Sequence, residues 1–99
     1  MPLTARQRKR AKALAHPLSP TVQVGQNGVT DALLEKVRSE LELHELIKIK
    51  VAGESSEEAH GAAELLAEQT HSDLVQIIGK TVVLYKRRRE KPIIELGKK

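Results

Sequence analysis

Apolar residues recur along this chain at two periods, and the switches between them mark out seven elements. Residues 4–15 carry a narrow stripe of Ala11, Leu14 and Ala15 at helical spacing. Thr4 followed by Gln7 has the form of a capping box, which satisfies free N–H groups at a helix start. His16-Pro17 closes this helix, because a residue before proline is pushed out of the α region. Pro20-Thr21-Val22-Gln23-Val24 then reads as a short strand, broken by Gly25-Gln26-Asn27-Gly28. Thr30 is placed to cap a second helix, with Asp31 in its first turn and Leu33, Leu34, Val37 and Leu41 recurring as far as about His44. In Leu46-Ile47-Lys48-Ile49-Lys50-Val51 the period drops to two, with Ile47, Ile49 and Val51 on one face and Lys48 and Lys50 on the other. A third helix opens at Ser55, which forms a capping-box pattern with Glu58, and runs to about Gln69. Its inner face is Ala59, Ala62, Ala63 and Leu66, with Leu65 nearby. Two last apolar runs, residues 74–78 and 81–85, flank Gly79-Lys80, a link that fits a hairpin of the II′ type. The order α-β-α-β-α-β-β predicts an α+β fold, a two-layer α/β sandwich with helices on a four-stranded mixed sheet. Residues 87–99 show no clear period, although Ile93, Ile94 and Leu96 could add a short extension.

Composition narrows what such a fold can do. At 99 residues the chain fits one domain with a modest core, here read as residues 1–87 with a basic tail over 88–99. Tyr85 is the only aromatic residue, so stacking bases on aromatic rings is excluded as a main mechanism. The lack of cysteine excludes disulfide frameworks and thiolate metal sites. No apolar run approaches the ~18 residues of a membrane span, and the basic N-terminus lacks the apolar stretch of a signal peptide. The expected location is the cytoplasm.

The net charge is +4, but its distribution says more. Arg6, Arg8, Lys9, Arg10 and Lys12 crowd the first twelve residues without an acid, and Lys86, Arg87, Arg88, Arg89 and Lys91 form a second run diluted only by Glu90. Between them, residues 51–79 hold Glu54, Glu57, Glu58, Glu64, Glu68 and Asp73 and no Lys or Arg. Such segregation predicts a positive face for a polyanion and a negative face away from it.

Gly25-Gln26-Asn27-Gly28 supplies the candidate chemistry. Glycines at both ends permit backbone angles closed to other residues and let another backbone approach closely, and the following helix turns the positive end of its dipole toward whatever lies above. A G-x-x-G loop clamps nucleotide backbone in KH domains. The candidate RNA contacts are therefore Gly25, Gln26, Asn27 and Gly28 with Arg6, Arg8, Lys9, Arg10, Lys12, Arg87, Arg88 and Arg89. Loop, first helix and start of the tail are expected on one positive face, and helix 55–69 off it. Gly79-Lys80-Thr81 is a hairpin turn rather than a P-loop, since Leu74 stands where the motif needs glycine. The histidines at 16, 44, 60 and 71 lack metal-ligand spacing, no nucleophile motif is present, and no enzyme, cofactor or small-molecule substrate is expected. The alternative is a protein-interaction module that docks a basic partner on the acidic helix 55–69.

Four ordered blocks also carry a family resemblance: residues 14–18 (Leu-Ala-His-Pro-Leu), 24–30 (Val-Gly-Gln-Asn-Gly-Val-Thr), 44–50 (His-Glu-Leu-Ile-Lys-Ile-Lys) and 76–85 (Gln-Ile-Ile-Gly-Lys-Thr-Val-Val-Leu-Tyr). Together they resemble the CRM domain (chloroplast RNA splicing and ribosome maturation), in its stand-alone bacterial YhbY form, from about Leu3 to Arg87. The resemblance implies a fold similar to the C-terminal domain of translation initiation factor three. It also implies RNA binding, with ribosomal RNA of the large-subunit precursor as partner; separately, a monomer is expected. The resemblance maps the family's G-x-x-G loop onto Gly25 to Gly28.

Overall fold

Helix α1 (Ala5–Ala15) starts where the capping box predicts, with the Thr4 side chain accepting from the Gln7 amide and the Gln7 side chain accepting from that of Thr4. Strand β1 (Val22–Val24) leads through the glycine loop to α2 (Asp31–His44), capped by the Thr30 hydroxyl. Strand β2 (Leu46–Val51), helix α3 (Ser56–Thr70), and the hairpin strands β3 (Asp73–Ile78) and β4 (Thr81–Tyr85) complete the described chain. The computed structural model describes residues 3–53 and 55–96. Glu54 of the acidic quarter, the first two residues and the last three of the basic tail lie outside them.

The strands form one sheet in the order β1-β2-β4-β3, with β1 parallel to β2 and the other pairs antiparallel. At the β3–β4 turn, Gly79 has φ +59 and Lys80 stays at negative φ, which is the II′ arrangement. Strand β1 is shorter than the apolar run before the loop. Thr21 still donates to the Lys48 carbonyl at 3.1 Å, but Pro20 has no N–H with which to extend the ladder.

Side chains from the two sheet faces build two cores. On one face, Val22, Val24, Ile47, Ile49, Val51, Val82 and Leu84 pack under Leu34, Val37 and Leu41 of α2 and Ala59, Ala63 and Leu66 of α3. Burying each large aliphatic side chain here contributes about 1.5–3 kcal/mol. Leu65 is 42% exposed, because neighbouring positions on a helix are about 100° apart and Leu66 takes the inward one. On the other face, Leu46, Val75, Val83 and Tyr85 pack with Ala11 and Ala15 of α1 and with Leu96. So α2 and α3 form the helical layer of the sandwich, while α1 and the C-terminal segment cover part of the opposite face.

Two polar devices fix α1 and this segment. A β-bulge shifts the β3 register between Leu74 and Gln76, and the Arg8 guanidinium donates to the carbonyls of Leu74 and Val75. Arg10 Nε donates to the Glu95 carbonyl at 2.8 Å. The second device is Glu45, fully buried at the end of α2 with φ +63. Its carboxylate accepts from the amides of Arg88 (2.7 Å), Ile93 (2.7 Å) and Ile94 (2.6 Å), which straps residues 88–96 onto the body. Arg8→Ala should cost about 1.5–3 kcal/mol, the range for bonds from a charged donor, read as a lower thermal midpoint. An unchanged midpoint would show that the bulge carbonyls find water at no cost.

Candidate nucleic-acid interface

The Gly25–Gly28 loop sits where β1 hands over to α2, at the same end of the sheet as the hairpin and the start of α3. Gly28 donates to the Gly25 carbonyl at 3.0 Å, closing a four-residue turn with Gln26 and Asn27 exposed at its tip. The amides of Gln26 and Asn27 have no partner among the described residues. Gly28 has φ +71, a conformation that side chains other than those of Asn and Asp rarely adopt. Gly25 is different: its φ is not positive and a Cβ there would meet nothing within 4 Å. Nothing in the free protein demands glycine at 25.

Charge around the loop is uneven. The groove on its α3 side, about 550 Å³, is lined by Val24, Gly25, Gln26, Gly28, Val51, Ala52, Gly53, Glu58 and Ala62. Its ionisable side chain is a carboxylate, Glu58, so part of helix 55–69 does border the loop, contrary to the expectation that the helix stays clear of it. Asp31, in the first turn of α2, also opposes an anion there.

The opposite sheet face is cationic. Cross-strand pairing places Gln23, Lys50, Thr81 and Ile78 in one row and Lys48, Val83 and Gln76 in the next, and neither row contains a carboxylate. Gln23, Lys50 and Ile78 are exposed, and Ile78 borders a depression that Lys12, Ala13 and Ala15 of α1 also line. Lys48 donates to the His16 carbonyl at 3.2 Å and lines a depression with Lys12, His16 and Gln76. Arg6, Lys9, Arg10 and Lys12 are exposed on α1, whereas Arg8 is half-buried and engaged with the bulge. The chain has no acid before Asp31, so α1 itself carries no carboxylate, although Asp73, paired with Tyr85, lies on the same sheet face near its start.

The second basic run lies elsewhere. Residues 86–89 follow β4 at the far end of the sheet, about 17 Å from the loop along the six residues of β2. Arg87 and Arg89 line a notch with Arg38, Lys86, Glu42 and Glu90, while Arg88 turns its Nε toward Glu42 at 3.9 Å. The tail arginines therefore do not join the loop, and the basic part of α1 lies nearer the tail end of the sheet, with Arg8 at the start of β3 and Arg10 on the Glu95 carbonyl. Tyr85 is 5% exposed, its phenol pushed above the ordinary 10.0 by burial and then by the Glu45 carboxylate, so the single aromatic ring is closed to bases.

Sequence reasoning places Lys48 and Lys50 on one strand face as secondary candidates that a helix could cover, and it misses Glu45. The signal for Glu45 was present: an acid at the C-terminal end of a helix opposes the dipole, and no glycine makes the one-residue link to β2.

Comparison with known proteins fits this geometry. The CRS1 / YhbY (CRM) domain family matches residues 3–86. This chain belongs to the CRM domain family. Relatives of this CRM domain include the Bacillus subtilis protein YqeI, named a probable RNA-binding protein, 42% identical over 95% of this chain and 98% of its own length. A Haemophilus influenzae protein named an RNA-binding protein is 39% identical over 98% of this CRM domain and 97% of its own length. The solution structure of Staphylococcus aureus SAV1595, put forward as an RNA-binding protein, superposes with a TM-score of 0.84 at 36% identity, over 96% and 99% of the two chains. No described helix of the CRM domain is long and apolar enough to cross a membrane.

Proposed function

We propose that this CRM domain binds RNA by its backbone, across the α1 side of the sheet and the Gly25–Gly28 loop. The observation that supports this most is the cross-strand row of Gln23, Lys50, Thr81 and Ile78, which holds an exposed lysine and no carboxylate. Arg6, Lys9, Arg10 and Lys12 extend it along α1, and the unpartnered amides of Gln26 and Asn27 supply donors for phosphate. Recognition is by shape and charge, since no aromatic side chain is exposed for stacking. Arg8 contributes by holding α1, and Arg87 to Arg89 reach only an RNA that extends past the end of the sheet.

The RNA is ribosomal, from the large-subunit precursor, which rests on the family resemblance, and the protein acts as a cytoplasmic monomer without catalysis. Lys50→Ala should lower the slope of log affinity against log salt by about one unit, or ~0.7 for single strands, with the melt unchanged. An unchanged slope removes Lys50 from the interface. Crosslinking in growing cells followed by sequencing should return precursor ribosomal RNA. Recovery of no RNA would favour the protein-interaction reading, for which Leu65 and the exposed Glu57, Glu64 and Glu68 offer a surface on α3.

A further inference from the structure

The notch at the far end of the sheet has more structure than a solvated run of arginines. Helix α3 ends without a basic residue in its last turn, and its terminal carbonyls are met by cations from elsewhere. Arg38 of α2 donates to the Gln69 carbonyl at 3.1 Å, and Lys86 donates to that of Thr70 at 3.0 Å. Each contact uses one donor of a group that has several. Arg87 and Arg89 complete the wall of a depression of about 400 Å³. Of the two carboxylates on its rim, Glu42 faces Arg88 at 3.9 Å, which leaves four cations against Glu90.

Glu45 fixes this arrangement. The amide it holds at 2.7 Å belongs to Arg88, the residue between Arg87 and Arg89, and its carbonyl accepts from the Lys86 amide at 2.8 Å. Two anchor points therefore set the backbone on which the notch arginines stand. A free tail would lose conformational entropy on ordering these side chains at a phosphate, and a strapped one has lost part of it already.

We infer that this notch is a second phosphate site for RNA backbone, separate from the glycine loop, with Arg38, Arg87 and Arg89 as contacts and Glu45 as their positioning residue. The inference rests on the RNA-binding reading and adds that one RNA engages both ends of the sheet. The two sites then act as a linked pair, and losing either weakens the whole.

The test measures affinity of the full chain for a labelled mixed-sequence RNA duplex over a range of salt, with a melt of every variant. Arg87→Ala/Arg89→Ala should reduce the salt slope by about two units, and Arg38→Ala by about one, with little change in the melt. Glu45→Gln should weaken binding several-fold in the native background and have no further effect with Arg87 and Arg89 already replaced. Arg38→Ala leaves the strap untouched and keeps the test decisive if the Glu45→Gln variant folds poorly. If Glu45→Gln weakens binding equally in both backgrounds, its positioning role is overturned. If the arginine variants keep the native slope while Lys50→Ala loses its unit, the second site is wrong and the first stands. If the native protein binds neither this duplex nor its separated strands at any salt, the RNA-binding reading itself fails.

Discussion

Replacing Gln26 and Asn27 together by Asp should remove most RNA affinity while the fold survives. Both side chains are exposed at the tip of a turn whose closing bond, Gly28 to Gly25, is made by backbone alone. Surface changes of this kind cost within ~0.5 kcal/mol each, so the melt should move little. Each new carboxylate, at ~4 Å from an incoming phosphate, repels it by about 1 kcal/mol in bulk water and about 4 at a protein surface. Even the lower value taken twice is more than a tenfold loss. Glu58 and Asp31 already border the loop, so the added charges would close its remaining approach. Unchanged affinity with an unchanged melt would mean that the loop is only a turn.

The largest effect on stability is expected at Glu45. Glu45→Ala strands three backbone N–H groups, each costing about 1–3 kcal/mol if it stays buried. Release of residues 88–96 into water would limit that loss, but at the expense of the packing of Ile94 and Leu96. A net cost of about 3 kcal/mol follows, or a fall in thermal midpoint of more than ~10 °C for a domain this size. Glu45→Gly loses the same carboxylate but suits φ +63, so it should be the milder change by about 1 kcal/mol. Equal midpoints for the two variants would show that the backbone at 45 relaxes once the strap is gone.

Much of this architecture is legible in the residue pattern because local chemistry dictates it. Thr4 closes its full capping box, and Thr30 and Ser55 cap with their hydroxyls, at Ser55 without a returned bond from Glu58. The alternation over Leu46–Val51 gives both the strand and the face on which its lysines lie. What resists a reading from sequence is set by tertiary neighbours. The stripe of Ala11, Leu14 and Ala15 says that α1 packs, but not that it packs on the face away from α2 and α3. Arg8 is indistinguishable by charge from Arg6 or Lys9. Its spacing from Ala11 and Ala15 places it on the packed stripe, and only the bulge at Leu74–Gln76 turns that position into a hydrogen-bonded anchor. The separation of the tail arginines from the glycine loop depends on β4 ending at the opposite end of the sheet. No charge count contains that information.

The strap also gives the two sides of the sheet different histories. During synthesis, every residue needed for the core beneath α2 and α3 has been made once Leu84 has been added. The α1 side must wait for Leu96, with a chain closure as wide as the 85 residues that separate Arg10 from Glu95. A nascent chain thus passes through a stage with one face of its sheet sealed and the other still uncapped. The cationic side of the molecule is finished last.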